Sequence, residues 1–495
     1  MARQLRCSSM AVMRIKFAGS TASSSFAAEW WTPRLAGPVI AAAVVRLTLL
    51  AVALVRAGTS ALVSADTISY LEPGRNLLLH GRFVAEGAPD LLRTPGYPVF
   101  LALTSLAGLP AAALANVILS VFSVILVWRL GRAVFGDERI ALGAAWIFAF
   151  EPLSVANSVV LLSETLFLAL FLLTMERLAA FLRERRLSAL VAAGLCLAAA
   201  TFVRPVTYYL PVALALGLFL VLTHVPDLPH PQQIPAAGVE GLRWKAPAVL
   251  LISILPWLAA WQMRNWVETG YSGFSSAGDY NLYFIGSADV KARAEHRNFI
   301  DVHKESGFAG YANPSEQDYL CGSYLTRHPE QAGWSQAQRL AFMHTEALRI
   351  IRAHYGIYVR SYLTSLSGLV LNPGAGAYHN LLYPTSAGST DQLIVFKSPA
   401  SGAIALARVY PWVAAEKAAF VAVLLGLYLL AVRGVIQSCK DNACLWLLLG
   451  TSVYFFAVTA AAVGPESAAR YRLPVMPAVC ILAAAGFRRA KTIAQ

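Results

Sequence analysis

The most constraining feature of the sequence is a series of apolar stretches of about 20 residues, the length that a helix needs to cross the hydrocarbon core of a bilayer. The first runs from Leu35 to about Val55. Charged residues make up only 14% of the chain, against roughly 25% in soluble domains. The sequence therefore predicts an all-α polytopic membrane protein rather than a set of soluble domains.

The later apolar stretches follow the same pattern. They lie near 96–128, 140–156, 159–180, 187–203, 206–223, 246–263, 409–432, 443–463 and 474–487. A weaker candidate at 355–372 contains Arg360 and several Ser and Tyr residues. It is predicted either to cross the membrane with a partner near 393–408 or to form part of an amphipathic interfacial helix at 340–372. We expect about ten to twelve transmembrane helices.

Positive charges between these stretches predict the orientation of the chain. Lys and Arg collect in short connecting segments, as they do in cytoplasmic loops. The residues concerned are Arg129, Arg132, Arg139, Arg183, Arg185, Arg186, Arg243, Lys245, Arg433, Lys440, Arg488, Arg489 and Lys491. Placing them inside puts both termini in the cytoplasm and sends loops 56–94, 264–354 and 464–473 to the opposite side. The net charge of +13 does not indicate nucleic acid, because no basic stripe interleaved with aromatic residues is present.

We predict four regions along the chain. Residues 1–34 form a disordered cytoplasmic tail without an apolar core of signal-peptide length. The others are a transmembrane module at 35–263 that includes outer loop 56–94 and is expected, from the residues described next, to be catalytic, an extracytoplasmic loop region at 264–408 that contains the alternative interfacial helix 340–372, and C-terminal transmembrane helices at 409–495.

Signatures of cofactor sites are missing from the sequence. The histidines lack metal-ligand spacing, and the six cysteines form neither a CxxC pair nor a disulfide framework. No P-loop and no GxGxxG in a nucleotide fold occur, so no nucleotide cofactor is expected. A divalent cation is left open.

Loop 56–94 holds the strongest candidate for chemistry. Asp66 follows the first apolar stretch almost at once, so its carboxylate would lie at the membrane surface. A carboxylate there can act as a general base on an acceptor hydroxyl or amine. Tyr70 is one helical turn further on and would share a face with Asp66. A solvated loop residue is the alternative interpretation of Asp66.

The run Arg93-Thr-Pro-Gly-Tyr97-Pro forms a rigid turn into the next apolar stretch. A guanidinium at the interface matches phosphate oxygens better than an ammonium group does. We therefore predict that Arg93 and Tyr97 contact substrate. A positive anchor at lipid head groups is the alternative for Arg93.

Glu164 lies near the outer end of an otherwise apolar stretch. An ionisable residue inside a membrane span is costly and is by default a candidate functional residue. Its predicted partner is Arg204, which precedes Pro205 at another outer helix end. A purely structural Glu–Arg clamp between helices is the alternative.

Two further outer segments collect charge. Arg264-Asn265 ends the stretch at 246–263, and Arg470-Tyr-Arg472-Leu-Pro precedes the stretch at 474–487. Several cations on one outer face can bind a phosphate leaving group. Snorkelling anchors would explain any one of them alone.

The motifs described above, and their order along the chain, resemble those of the type-C glycosyltransferases. The resemblance is closest to the bacterial branch of the protein-mannosyltransferase-like superfamily, which includes the lipid A aminoarabinose transferases. The matching motifs are Asp66-x3-Tyr70, Arg93-Thr-Pro-Gly-Tyr-Pro-Val-Phe-Leu-Ala, Ser163-Glu164-Thr-Leu, Arg204-Pro205, Pro256-Trp257 with Arg264-Asn265, and Arg470-Tyr471-Arg472-Leu-Pro474. The resemblance implies a type-C glycosyltransferase fold, a donor sugar on polyprenyl phosphate, and inverting transfer at the periplasmic face of a bacterial inner membrane.

The resemblance also implies roles for individual residues. Asp66 looks like the catalytic acidic residue of the first outer loop, and Glu164 looks like the second acidic residue, which is often Asp. Arg93 stands where the aminoarabinose transferases carry a lysine that faces the lipid phosphate. Asp66-Thr67 replaces the Asp-Glu pair of the mannosyltransferases, and the Glu-Lys-Pro of the aminoarabinose enzymes is lacking. The resemblance therefore implies the class of enzyme and not the sugar.

The leading hypothesis is a glycosyltransferase that acts on a lipid, glycan or protein acceptor. Asp66 would activate the acceptor, and Glu164 would position it or help to hold a divalent cation. Arg93, with Arg470 or Arg472, would stabilise the departing phosphate. The other predicted substrate contacts are Tyr70, Tyr97, Arg204 and Arg264. A lipid-linked-sugar transporter or flippase, and an outer-face glycan polymerase or ligase, are the alternatives.

Overall fold

The computed structural model describes residues 30–224, 236–308, 322–374, 377–378, 381, 411–438, 442–464 and 468–487. The predicted tail up to residue 29 and the candidate span near 393–408 lie outside these residues. Helices dominate the described chain, and the only strands within it are the two-residue pair β1 (Val84–Ala85) and β2 (Ala88–Pro89), which form an antiparallel hairpin.

Most helices before residue 225 lie within the predicted apolar stretches, except the second, which lies in the predicted outer loop 56–94. In chain order they are α1 (Ala36–Ala57), α2 (Ala65–His80), α3 (Gly96–Thr104), α4 (Leu109–Phe135), α5 (Glu138–Ala149), α6 (Pro152–Asn157), α7 (Glu164–Glu184), α8 (Leu187–Val203) and α9 (Leu210–His224). The predicted stretch at 96–128 is divided at Gly108, whose φ of +94° suits glycine, and Pro110 then lies in the first turn of α4.

The second half of the described chain contains an outer group of short helices followed by long apolar ones. They are α10 (Ala236–Thr269), α11 (Ala277–Asn281), α12 (Ala288–Ala294), α13 (Phe299–Glu305), α14 (Gly322–Arg327), α15 (Gln336–Ala353), α16 (Tyr355–Leu371), α17 (Pro411–Ile436), α18 (Ala443–Val463) and α19 (Met476–Gly486). A 3-10 helix, Ala469–Val475, leads directly into α19.

Seven helical segments of the described residues are long and apolar enough to cross a membrane. They are Pro33–Leu62, Leu109–Phe135, Glu164–Glu184, Pro205–Thr223, Gly241–Thr269, Ala414–Ile436 and Ala443–Ala462. Two shorter apolar helices, Gly96–Ala107 and Leu187–Val203, accompany them. The predicted all-α polytopic membrane protein is confirmed. The expected count of ten to twelve spans stays a prediction.

The segment 340–372, one alternative for which was a single interfacial helix, is divided into two helices, and its place at the membrane interface stays a prediction. α15 begins at a Ser335 capping box, and its backbone breaks at His354, where φ is −129° and ψ is 41°. The buried side of α15 packs on Tyr280 and Phe284 in the outer group. α16 packs against α18 instead. The two helices therefore have different packing partners on the two sides of the break.

Close approach of α17 and α19 forms part of the membrane core. A Cβ atom on Gly434 would lie 2.0 Å from the Leu482 carbonyl oxygen, and one on Gly486 would lie 2.0 Å from the Leu430 oxygen. Small residues at such contacts let helix backbones approach within a membrane. α19 is buried along its whole length in this position.

The two ends of the bundle differ in character. α7 has 21 residues and is therefore about 31 Å long, with Glu164 at one end and Arg183 at the other. At the Arg183 end, Asn442 donates a hydrogen bond to the Val134 carbonyl at 2.7 Å, so segments that were predicted to be cytoplasmic meet there. The predicted outer segments meet at the Glu164 end.

Candidate active site

Backbone contacts between the start of α2 and the segment before α7 bring Asp66 close to Glu164. The Thr67 hydroxyl accepts a hydrogen bond from the Ser64 N–H at 2.9 Å and donates to the Leu161 carbonyl at 2.8 Å. Asp66 lies in the first turn of α2, and Glu164 is the first residue of α7. Both carboxylates therefore lie at helix N-termini, where the helix dipole favours negative charge.

Asp66 is held between two arginines. Arg93 Nη2 donates to Oδ1 at 2.8 Å, and Arg470 Nη2 donates to Oδ2 at 2.8 Å. The Asp66 side chain is nevertheless 33% exposed. Burial alone would raise the pKa of Asp66, but the two guanidiniums, Arg470 foremost, hold that pKa below its usual range. Asp66 is thus a carboxylate at neutral pH.

Arg93 is fixed by the loop that carries it and by the face of α2. The Asp90 carboxylate accepts from the backbone N–H groups of Leu92 at 2.7 Å and Arg93 at 3.0 Å, which closes a turn. Arg93 Nε donates to the Ser69 hydroxyl at 3.0 Å, and Nη1 donates to the Tyr70 hydroxyl at 3.1 Å. Asp66 and Tyr70 therefore share the face of α2 that Arg93 contacts, as their spacing predicted.

Glu164 pairs with Arg204, as expected, and also meets Arg470. Arg204 Nη1 lies 2.6 Å from Glu164 Oε1, and Arg470 Nε lies 3.6 Å from the same oxygen. Arg470 therefore bridges Asp66 and Glu164. Tyr471 joins the group, since its hydroxyl accepts from Arg470 Nη2 at 3.2 Å and its ring lies 5.6 Å from the Arg204 guanidinium.

The five charged residues Asp66, Arg93, Glu164, Arg204 and Arg470 are called the Asp66–Glu164 cluster below. Three guanidiniums face two carboxylates, so the cluster carries an excess positive charge. The arginine side chains are 19–27% exposed, whereas that of Glu164 is 4% exposed. A partly open site with spare guanidinium charge can bind a phosphate and stabilise charge that develops on it.

Tyr97 is fully buried, which corrects the prediction that it contacts substrate directly. Its ring packs edge-on against Tyr70 with the centroids 4.8 Å apart. Tyr70 in turn accepts a hydrogen bond from Arg93. Tyr97 therefore supports Arg93 indirectly, by packing against the Tyr70 ring.

Arg264 and Arg472 do not reach the cluster, although both were predicted to bind substrate. Arg264 donates to the carbonyls of Phe83 at 2.6 Å and Asp90 at 3.2 Å and pairs with Glu268 at 2.8 Å. It therefore holds the loop that carries Arg93. Arg472 is buried and donates to backbone carbonyls at the C-terminal end of α16, away from the cluster. Both guanidiniums therefore donate hydrogen bonds to backbone carbonyls and not to the carboxylates of the cluster.

Some residues of the site were missed by the sequence analysis. Tyr471 stands within the Arg470-Tyr471-Arg472 motif, but no spacing rule marked it as a contact. Asp90 precedes Arg93 by three residues, which is the signal of an Asx turn. Ser69 follows no recognisable pattern.

A metal ion has no evident place in the cluster. Within the described residues, no group of three or more His, Cys, Asp or Glu side chains is arranged to hold one. Asp66 and Glu164 are each paired with arginine, so a cation would have to displace a guanidinium. The residues present do not fit a divalent cation.

Comparison with known proteins gives a family match. Residues 95–237 match the family model described as dolichyl-phosphate-mannose-protein mannosyltransferase. This segment includes Glu164 and Arg204, while Asp66, Arg93 and Arg470 lie outside it. No curated protein matches the chain.

Among solved structures, the archaeal oligosaccharyltransferase AglB from Archaeoglobus fulgidus, in complex with an inhibitory peptide and a dolichol-phosphate, is 15% identical with a TM-score of 0.42. The match covers 91% of this chain and 50% of that one, so the chain spans about half the length of AglB. Residues 95–237 carry the pattern of the dolichyl-phosphate-mannose-protein mannosyltransferase family, which confirms the resemblance to the protein-mannosyltransferase-like superfamily that the motifs predicted.

Proposed function

We propose that this chain is an inverting glycosyltransferase that moves a sugar from a polyprenyl-phosphate donor to a lipid, glycan or protein acceptor. The observation that carries the proposal is the Asp66–Glu164 cluster, in which two carboxylates and three arginines meet at one end of a membrane bundle. The family match supports a donor whose sugar is linked to a lipid phosphate.

In the proposed reaction, an acceptor oxygen or nitrogen attacks the anomeric carbon of the donor. The bond from that carbon to the phosphate oxygen breaks, and polyprenyl phosphate leaves with the bonding electron pair. Arg93 and Arg470 stabilise the charge on the phosphate. Asp66 takes the acceptor's proton. Glu164, held by Arg204, positions the acceptor.

The two arginines that would bind the phosphate are the same two that hold Asp66. In the free site each oxygen of Asp66 accepts a hydrogen bond from one of them. A donor phosphate competes for these guanidiniums, because a charged acceptor draws the same donors. Donor binding therefore weakens the hold of the arginines on Asp66 and makes its carboxylate a stronger base for the acceptor's proton.

The proposed location is a bacterial inner membrane, with both termini in the cytoplasm and the cluster facing the periplasm. The positive charge of the predicted inner loops supports this orientation. A donor outside the cytoplasm cannot be a soluble nucleotide sugar, which is consistent with a lipid-linked one.

The test uses purified full-length protein and radiolabelled polyprenyl-phosphate sugar. Asp66→Asn is expected to lower transfer by about 10²–10⁴-fold, the usual contribution of a general base. Glu72→Gln is the matched control, since Glu72 is on the same helix and, within the described part of the chain, its side chain accepts a hydrogen bond only from the Glu86 N–H. Undiminished transfer by Asp66→Asn would refute the assignment.

The same preparation separates the alternative functions. A polymerase or ligase would prefer a donor linked through a diphosphate to one linked through a monophosphate. A flippase would move the lipid-linked sugar across proteoliposomes without forming a glycosidic product. Either result would replace the proposal.

A further inference from the structure

Arg472 makes a set of contacts that the proposed reaction does not use. Its side chain is 1% exposed. Its Nη1 atom lies 2.8 Å from the Leu369 carbonyl oxygen, 3.1 Å from that of Val370 and 2.8 Å from that of Asn372. These three carbonyls belong to the C-terminal end of α16, where α16 gives way to extended backbone at Asn372.

The contacts suit both partners chemically. The last carbonyls of a helix have no hydrogen-bond donor within the helix. A cation there satisfies them and interacts favourably with the negative end of the helix dipole. A guanidinium buried in the bundle likewise needs acceptors, and Nη1 of Arg472 finds three at the end of α16, while its Nε has no partner among the described residues. These hydrogen bonds therefore anchor the segment that carries Arg472 to the C-terminal end of α16.

That segment also carries Arg470. Both residues lie in the 3-10 helix Ala469–Val475, separated only by Tyr471. Arg470 points towards Asp66 and Glu164, while Arg472 points towards α16. Arg470 is 27% exposed and contacts the carboxylates through its long flexible side chain, so its placement depends on the backbone below it.

We propose that Arg472 is a positioning residue, which holds Arg470 in the Asp66–Glu164 cluster by tying their common 3-10 helix to the C-terminal end of α16. The inference rests on the proposed function, since Arg470 is there a ligand of the donor phosphate. Arg472 itself touches neither carboxylate of the cluster nor the phosphate that they would adjoin.

A second side chain supplies a matched control. Tyr428 on α17 donates to the same Val370 carbonyl at 3.0 Å. It ties the same helix end to the bundle but lies outside the segment of Arg470. Tyr428→Phe removes one bond from that end of α16 and leaves the Arg470 segment in place.

The experiment measures binding of a long-chain polyprenyl monophosphate to full-length protein in lipid nanodiscs, with the corresponding polyprenol as the probe that lacks phosphate. Arg472→Gln is expected to weaken phosphate-dependent binding about tenfold, close to the lower end of the range for hydrogen bonds to charged groups. Arg472→Lys keeps the charge and can donate to the same carbonyls from one ammonium group, and is expected to weaken binding only about threefold, because the ammonium is placed differently from Nη1. Tyr428→Phe is expected to bind within about twofold of the wild type.

A double-mutant cycle separates positioning from general weakening of the fold. If Arg472 acts through Arg470, the pair Arg470→Gln and Arg472→Gln binds no more weakly than Arg470→Gln alone. Additive losses in the double variant would overturn the inference. Melting temperatures show which variants fold, and Arg472→Lys takes the place of Arg472→Gln in the cycle if the glutamine variant does not.

The outcomes distinguish the inference from the proposed function. Wild-type binding that is strong for the monophosphate and unchanged in Arg472→Gln overturns the inference alone. Wild-type protein that does not prefer the monophosphate to the polyprenol overturns the proposed function, and the positioning role with it.

Discussion

Asp66 and Glu176 are each held by two arginines, and they differ in what surrounds them. Asp66 lies between Arg93 and Arg470 with its side chain 33% exposed. Glu176, in the interior of α7, lies 2.5 Å from Arg129 and 2.5 Å from Arg177, with its side chain 0% exposed.

The difference shows that the pairing of charges does not by itself mark a reaction centre. The Glu176 carboxylate is closed to ligands, since its side chain is 0% exposed, Arg129 is 1% exposed and the Trp30 ring lies 3.9 Å from the Arg129 guanidinium. Of the three charged residues, only Arg177 reaches the surface there, with its side chain 21% exposed. Around Asp66, a third arginine and partial exposure leave room for an anionic ligand. Access and spare charge therefore distinguish a candidate active site from a clamp.

The largest expected effect is on folding. Glu176→Gln leaves Arg129 buried without that carboxylate, and breaking a buried ion pair from one side costs about 3–5 kcal/mol. We expect a large fall in the melting temperature of the purified protein, whereas Asp66→Asn keeps a melting temperature close to that of the wild type. Equal destabilisation by the two variants would break the comparison.

A smaller effect is expected on donor affinity. Arg93→Lys keeps the charge beside Asp66 but cannot hold Ser69, Tyr70 and a phosphate with one planar group. We expect the KM for the polyprenyl-phosphate sugar to rise about tenfold, in line with loss of one charge-assisted hydrogen bond. Arg75→Lys, at an exposed position on α2, is the control. An unchanged KM in Arg93→Lys would mean that the cluster is as closed to ligand as the Glu176 pair.

The smallest effect is a displacement of the pH profile. Because Arg470 and Arg93 lower the pKa of Asp66 against the effect of burial, the acid limb of kcat/KM should lie below about pH 4, the ordinary value for aspartate. Arg470→Gln removes a cation that favours the ionised form, so the pKa rises and the limb moves to higher pH. A limb that stays fixed or moves lower would argue against Asp66 as the base.

Much of the bundle could be predicted because the bilayer requires continuous apolar stretches. The predicted stretches at 187–203 and 443–463 coincide with α8 and α18. The stretch at 140–156 is broken because the Glu151 carboxylate caps α6 by accepting from the N–H groups of Leu153 and Ser154. Contacts of that kind involve single residues and do not change the average hydropathy.

The members of the Asp66–Glu164 cluster could also be predicted, since an ionisable residue in or beside an apolar stretch is costly unless it has a partner or a function. The direction of each side chain could not. Arg470 and Arg472 are two residues apart in one motif, yet the first faces the carboxylates and the second faces α16. Only the backbone of the 3-10 helix determines which arginine faces which partner.

The close packing of α19 against α17 has a consequence for biogenesis. Arg470 lies in the 3-10 helix that leads into α19 and is synthesised after every other member of the cluster. Gly434 and Gly486 leave no space for a Cβ atom at this contact. In the folded protein, α19 is therefore docked closely on α17. The nascent protein thus contains Asp66, Arg93, Glu164 and Arg204 before it has the arginine that joins them, and the Asp66–Glu164 cluster is complete only when this late segment has docked.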